Sequence, residues 1–183
     1  MKYLKKTSIF VLALICLASS GWVSAGGGKK NTVVRLVGTG EMYNGDSLFS
    51  VFGLTPLGAD CYNLDLVDAK KGKIIGTAID CLSDITPSGS DDGLMLTGTT
   101  FFFFKNGTLV SQGLTTVQPV LHGSTGFTHI TGAIPSPGEN SVVYGDGKFK
   151  KAYGPVRLSG AVNLSDLATD GLITFDCVFI IDV

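Results

Sequence analysis

The chain has 183 residues, with 14 lysines and arginines against 15 aspartates and glutamates, 25 glycines, four cysteines and two histidines. The length suits one domain that buries its own core, and a near-neutral charge lacks the basic footprint of a nucleic-acid binder. Cysteines and histidines without paired spacing give no metal motif.

Lys2, Lys5 and Lys6 precede an apolar run from Ile9 to Ala18, and Val23-Ser24-Ala25 sets small residues at a cleavage position. This is the pattern of a secretory signal peptide over residues 1–25, so the chain is expected to be exported, to a periplasm or outside the cell. About ten apolar residues interrupted by Ser19, Ser20 and Gly21 are too short to cross a bilayer. Cys16 follows Leu14-Ile15, where a lipoprotein signal needs a small residue, so no membrane anchor is expected. Removing the leader leaves 158 residues from Gly26, with eleven basic against fifteen acidic side chains. Residues 26–31 form a flexible glycine-lysine segment, read as solvated linker, and residues 32–183 form one domain.

Beyond it the period is that of strands. Eight are expected: Thr32–Met42; Asp60–Asp68, with Leu48–Phe52 a candidate earlier piece of the same edge; Lys73–Asp84; Leu94–Lys105; Thr108–Gln118; Phe127–Ile134, resuming at Ser141–Tyr144 after Pro135-Ser136-Pro137-Gly138; Val156–Leu164; and Leu172–Val183. Residues 87–93 are loop, and Asn106-Gly107 is a strong hairpin signal. Hairpin-length connections imply antiparallel order, and eight such strands remove their edges most simply by closing into an up-and-down β-barrel, with a β-sandwich as the competing arrangement.

If Gly72 takes the positive-φ place of a three-residue loop, counting back from the turn sets Cys61 opposite Cys81 and predicts a Cys61–Cys81 disulfide. A one-residue bulge would part the thiols, and reduced buried cysteines are the alternative. Cys177, the odd one, reads as a small core residue. One face of this hairpin then carries Cys61, Asn63, Asp65, Val67, Ile75, Thr77, Ile79 and Cys81. The other carries Tyr62, Leu64, Leu66, Ile74, Ala78 and Asp80. Both are mixed, so the pattern alone does not choose the inner one. In Phe101-Phe102-Phe103-Phe104 alternate rings point to opposite faces, so one pair lies outside the barrel, either at a subunit interface or under a covering segment. His122 and His129 have no evident partner, Ser124 and Ser141 lack a nucleophile-elbow context, and Asn106-Gly107-Thr108 and Asn163-Leu164-Ser165 fit glycosylation sequons.

Gly145-Asp146-Gly147-Lys148-Phe149-Lys150-Lys151-Ala152-Tyr153-Gly154, followed by the Val156-Arg157-Leu158 strand, resembles the signature of the allene oxide cyclase and dirigent barrels. Leu64-Asp65-Leu66-Val67-Asp68, Gly72-Lys73-Ile74-Ile75-Gly76-Thr77-Ala78 and Val110-Ser111-Gln112-Gly113 are similar to that family's hairpin and following strand, in the family's order over 60–163. The first glycine of the family pattern is missing, Tyr144 standing in that region. The resemblance implies an apolar cavity that holds a reactive hydrophobic molecule and steers its cyclisation or coupling without a cofactor. It also extends to homo-oligomers. It leans towards an inward Asn63 and Cys81, and makes Glu41, at the end of the first strand, the candidate catalytic carboxylate. A carboxylate in such a cavity has a raised pKa and can exchange protons or stabilise a cationic centre. Phe101, Phe103, Tyr144 and Arg157 complete the expected ligand-binding set, with solvent exposure the alternative for Arg157. A non-catalytic binding or structural barrel with a filled interior is the competing function, and a lipocalin-like carrier a third.

Overall fold

The computed structural model describes residues 31–55, 58–89, 93–120, 126–134 and 140–182. The expected signal peptide, residues 26–30 of the glycine-lysine leader, His122, Ser124 and the Pro135–Gly138 break lie outside them, while Asn31, expected as the leader's last residue, pairs with Asp182 and begins the first strand. Ten strands are described: β1 Asn31–Glu41, β2 Tyr43–Asn44, β3 Asp60–Asp68, β4 Ile74–Pro87, β5 Leu94–Phe104, β6 Gly107–Pro119, β7 His129–Ala133, β8 Asn140–Gly145, β9 Val156–Asn163 and β10 Leu172–Asp182. Two short helices, α1 Asp46–Val51 and α2 Leu167–Asp170, and a 3-10 turn at Gly147–Phe149 complete them. None of these helices is long and apolar enough to cross a membrane.

All strand pairings are antiparallel, running β3-β4-β5-β6-β7-β9-β10-β1, and β1 pairs both β10 and β3, closing an eight-staved barrel. The sixth stave is interrupted: β7 and β8 each pair β6, on either side of the break read from the prolines. β2 is a two-residue extension that pairs β3 beside β1.

Alternation fixes the two faces. Leu36, Leu66, Phe102, Leu109, Phe179 and Ile181, all inward, fill one end, called the base. The glycine turn closes it. Asp146 accepts the Thr108 N–H, the Lys148 N–H donates to the Asn106 carbonyl, and Phe149 packs 4.8 Å from Phe104. Gly147 has φ 52°, and a Cβ there would fall 2.4 Å from the Asn106 carbonyl oxygen, so the turn fits against the β5–β6 hairpin only as glycine.

The outer face of β3 to β6 carries a second core. Phe49 and Phe52 of α1 and its exit lie against Phe101, at 5.5 and 5.2 Å between ring centroids, with Val110 and the Cys61–Cys81 disulfide in the same cluster. Leu48–Phe52 is therefore helical rather than a strand edge: Phe49 and Phe52, three apart, share a helix face, and that face meets an apolar bed. The chain reaches α1 directly over the disulfide, and a Cβ on Gly45 would fall 2.0 Å from the Cys61 sulfur.

The counted register holds at the cysteines, which pair directly, but a bulge near the turn sets Val67 opposite Ile74 instead of Ile75. Ile75 consequently packs on the barrel core and Ile74 is 64% exposed, the reverse of the expected faces. The hairpin's inward face is that of Tyr62, Leu64, Leu66, Ala78 and Asp80, so Asn63 and Cys81 point away from the interior.

Candidate functional site

At the end opposite the base, here the mouth, the barrel wall is less filled. A cavity of about 70 Å³ lies there, lined mainly by aliphatic and aromatic side chains including Leu96, Val117, Ile173 and Phe175. Ile85, Leu94, Leu164 and Leu167 of α2 surround its outer part. Polar groups enter it as a strip on neighbouring strands: Asp80 on β4, Thr100 on β5, Ser111 and Thr115 on β6, Thr131 on β7 and Asn140 on β8.

The pairing explains why these groups converge. Tyr62, Asp80, Thr100 and Ser111 are successive direct partners across β3, β4, β5 and β6, so all four project inward at one level. The Thr100 hydroxyl donates to the Asp80 carboxylate at 2.6 Å. Among the described residues the ion pairs are Arg35–Asp176 and Arg157–Asp182, so no cation compensates Asp80.

Burial pushes the Asp80 carboxyl up to about 6, and the Thr100 hydrogen bond offsets part of that rise. Its charge acts on its neighbours. Burial, Asp60 and Asp80 together push the Tyr62 hydroxyl up to about 12, and burial, helped by Asp80 and Asp176, raises the Cys177 thiol well above its ordinary range. Tyr62 and Cys177 are therefore neutral where Asp80 titrates. A carboxyl with such a pKa is present in both protonation states near neutrality, so it can give a proton to a bound molecule or take one.

None of the seven expected site residues lines this cavity. Glu41 ends β1 as an exposed carboxylate at the mouth rim. Asn63 is exposed on the outer face, and Cys81 is tied to Cys61 there. Phe101 is fully buried, but under α1, and Phe103 lies beside it 6.1 Å from Phe52. The chain's own helix covers that pair, the second of the two accounts offered for it. Tyr144 also belongs to the outer cluster, edge-on to Phe52 at 5.0 Å, its hydroxyl 3.4 Å from Asp146. Arg157 is outward on β9 near the base, donating to Asp182 at 2.8 and 3.0 Å.

In the sequence Asp80 is one member of a mixed hairpin face. Its signal is an aspartate alternating with Ala78 and Leu82 on a strand whose partner positions are Tyr62 and Leu64. Among the described residues no three His, Cys, Asp or Glu side chains converge as metal ligands.

No protein-family model, no curated protein and no solved structure matches this chain.

Proposed function

We propose that this protein is an exported barrel of the allene oxide cyclase and dirigent type. It takes a small hydrophobic molecule in through the mouth and sets the Asp80 carboxyl against it, steering a cyclisation or coupling by shape and proton exchange without a cofactor. The observation that carries this reading is Asp80, half-buried and without a cation among the described residues, on the wall of a mainly apolar cavity. Withdrawing a carboxylate from water without a countercharge destabilises a fold, and such groups concentrate at sites of chemistry. Thr100 fixes one carboxyl oxygen, leaving the other for a ligand. The disulfide suits an oxidising compartment beyond the cytoplasm.

The cavity's size favours a second reading, a non-catalytic barrel with a filled interior. At about 70 Å³ it is smaller than the roughly 150 Å³ that admits benzene and far below the few hundred Å³ of most ligand pockets. Under the first reading the ligand widens the site by turning Ile85, Leu94, Leu164 and Leu167 outward, where the barrel wall gives way to side chains at the mouth.

The experiment is to incubate the purified protein with a lipid and phenolic extract and identify what is retained by mass spectrometry, beside Leu94→Trp and Asp80→Asn. A compound held by the wild type, lost when Trp blocks the mouth and weakened in Asp80→Asn supports the first reading. Retention of nothing by any of the three supports the filled interior.

A further inference from the structure

The described residues hold seven lysines, and all of them lie in three turns at the base. Lys70, Lys71 and Lys73 follow β3, Lys105 sits between β5 and β6, and Lys148, Lys150 and Lys151 belong to the glycine turn. All seven are exposed. Glu41, Asp60, Asp84, Asp166 and Asp170 lie at the opposite end, so a chain of nearly balanced charge is electrically polar along its barrel axis.

The acids among the basal turns are already engaged. The Asp68 carboxylate accepts the Lys70 and Lys71 backbone N–H groups at 3.0 and 2.8 Å, and Asp146 accepts the Thr108 N–H. Asp182 pairs with Arg157. No lysine of the described residues makes an ion pair. Asp68, on the groove, and Asp146 offset part of the charge of the seven lysines, so the base keeps a net positive charge whose field reaches solvent.

Between these lysines lies a groove of about 420 Å³, six times the interior cavity, with Lys70, Lys105 and Lys148 on its rim and Phe104, Ile75 and Val34 on its walls. The Lys148 ammonium stands 5.7 Å from the Phe104 ring and 4.7 Å from that of Phe149. Ile74 and Tyr153, at the same end, are 64% and 70% exposed. Separated lysine turns, an apolar hollow and two projecting apolar side chains form a surface that pairs with charge on top and hydrocarbon beneath.

We propose that the base of the barrel docks on a bilayer surface rich in anionic headgroups. Lys70, Lys105 and Lys148 hold a headgroup phosphate over the groove while Ile74 and Tyr153 enter the interfacial layer. A soluble polyanion would use the lysines equally well but would leave Ile74 and Tyr153 without a role, which favours the bilayer. The mouth and Asp80 then face away from the surface, so this docking is separable from ligand binding.

Protein produced from the full chain is sedimented with phosphatidylcholine vesicles and with vesicles containing phosphatidylglycerol, at low and high salt. Binding to the anionic vesicles alone, released by salt, is expected. At about fivefold per lysine, a Lys70→Gln/Lys105→Gln/Lys148→Gln variant loses partitioning on the order of a hundredfold. Ile74→Ser/Tyr153→Ser weakens it with the same salt dependence, and both variants keep the wild-type circular dichroism and melting temperature. Equal sedimentation with neutral vesicles overturns the proposal. So does an unchanged Ile74→Ser/Tyr153→Ser variant combined with full displacement by a DNA oligonucleotide, which marks a general polyanion site. Salt-sensitive self-association without vesicles overturns it too, because the acidic end of a second copy is then the occupant.

Discussion

Replacing Asp80 with asparagine tests whether burial of a charge at the centre of this barrel governs its stability. Asp80 titrates at about 6 in the fold against 3.8 when exposed, a gap of about two units. At about 1.4 kcal/mol per unit this amounts to about 3 kcal/mol. The sign follows from the raised value: the folded state holds the proton more tightly, so this contribution to stability is fully present below about pH 4. It is lost as pH rises to about 6, and stays lost above. Asparagine keeps an acceptor for the Thr100 hydroxyl but adds an amide N–H₂ that needs partners, which offsets about 1 kcal/mol. At neutral pH Asp80→Asn should therefore be more stable than the wild type by about 2 kcal/mol, and by about pH 4 the advantage should be gone, turning into a deficit approaching about 1 kcal/mol below that. Urea unfolding followed by far-ultraviolet circular dichroism across this range measures it. The difference between the two proteins removes other carboxylates such as Asp68, whose backbone hydrogen bonds from Lys71 and Lys70 lower its pKa and give the opposite slope. Parallel pH profiles for the two proteins would refute the reasoning, since Asp80 would then be hydrated in the fold.

Three further outcomes follow from the same packing. Reducing the Cys61–Cys81 bond, which spans 20 residues, should lower the unfolding free energy by about 3 kcal/mol, read as the shift in urea midpoint with and without reductant. Phe49→Ala removes a fully buried ring from between α1 and Phe101, and should cost about 3 to 5 kcal/mol while exposing the outer aromatic bed to a hydrophobic dye. Because Tyr62 is pushed up to about 12, its share of stability is lost as pH rises beyond about 10. Tyr62→Phe should thus unfold less steeply in alkali than the wild type, and its ultraviolet titration should lack the latest-ionising tyrosine.

The staves were readable because hairpin signals and period-two runs agree along most of the chain. Asn106-Gly107 marks the β5–β6 turn, the prolines after Ile134 mark the gap between β7 and β8, and Gly72, at φ 64°, sets the count that brings Cys61 to Cys81. The bulge that exchanged Ile74 and Ile75 was not readable, since two adjacent isoleucines give no sign of which belongs to the core. Leu48–Phe52 was ambiguous because Leu48, Ser50 and Phe52 fit a strand as readily as Phe49 and Phe52 fit one helix face.

That ambiguity misplaced the site. A barrel strand with one wet face shows which side is inside, but the outer face of β3 to β6 mixes exposed Asn63 and Asp65 with Cys61, Cys81, Phe101 and Val110, which α1 covers, so neither face reads as plainly wet. Phe101, Phe103 and Val110 outside are as greasy as Phe102, Phe104 and Leu109 inside, so hydrophobicity could not separate them. The helix could have. Phe49 and Phe52 need an apolar bed, and Phe52 lies only eight residues before the Cys61 strand, while Gly45, just ahead of the helix, has room for no side chain above the disulfide. Once α1 is placed on the cysteine face, the opposite face must be the interior. Asp80 then becomes the charged group that the barrel encloses, while Asn63 and Cys81 belong to the support of its outer wall.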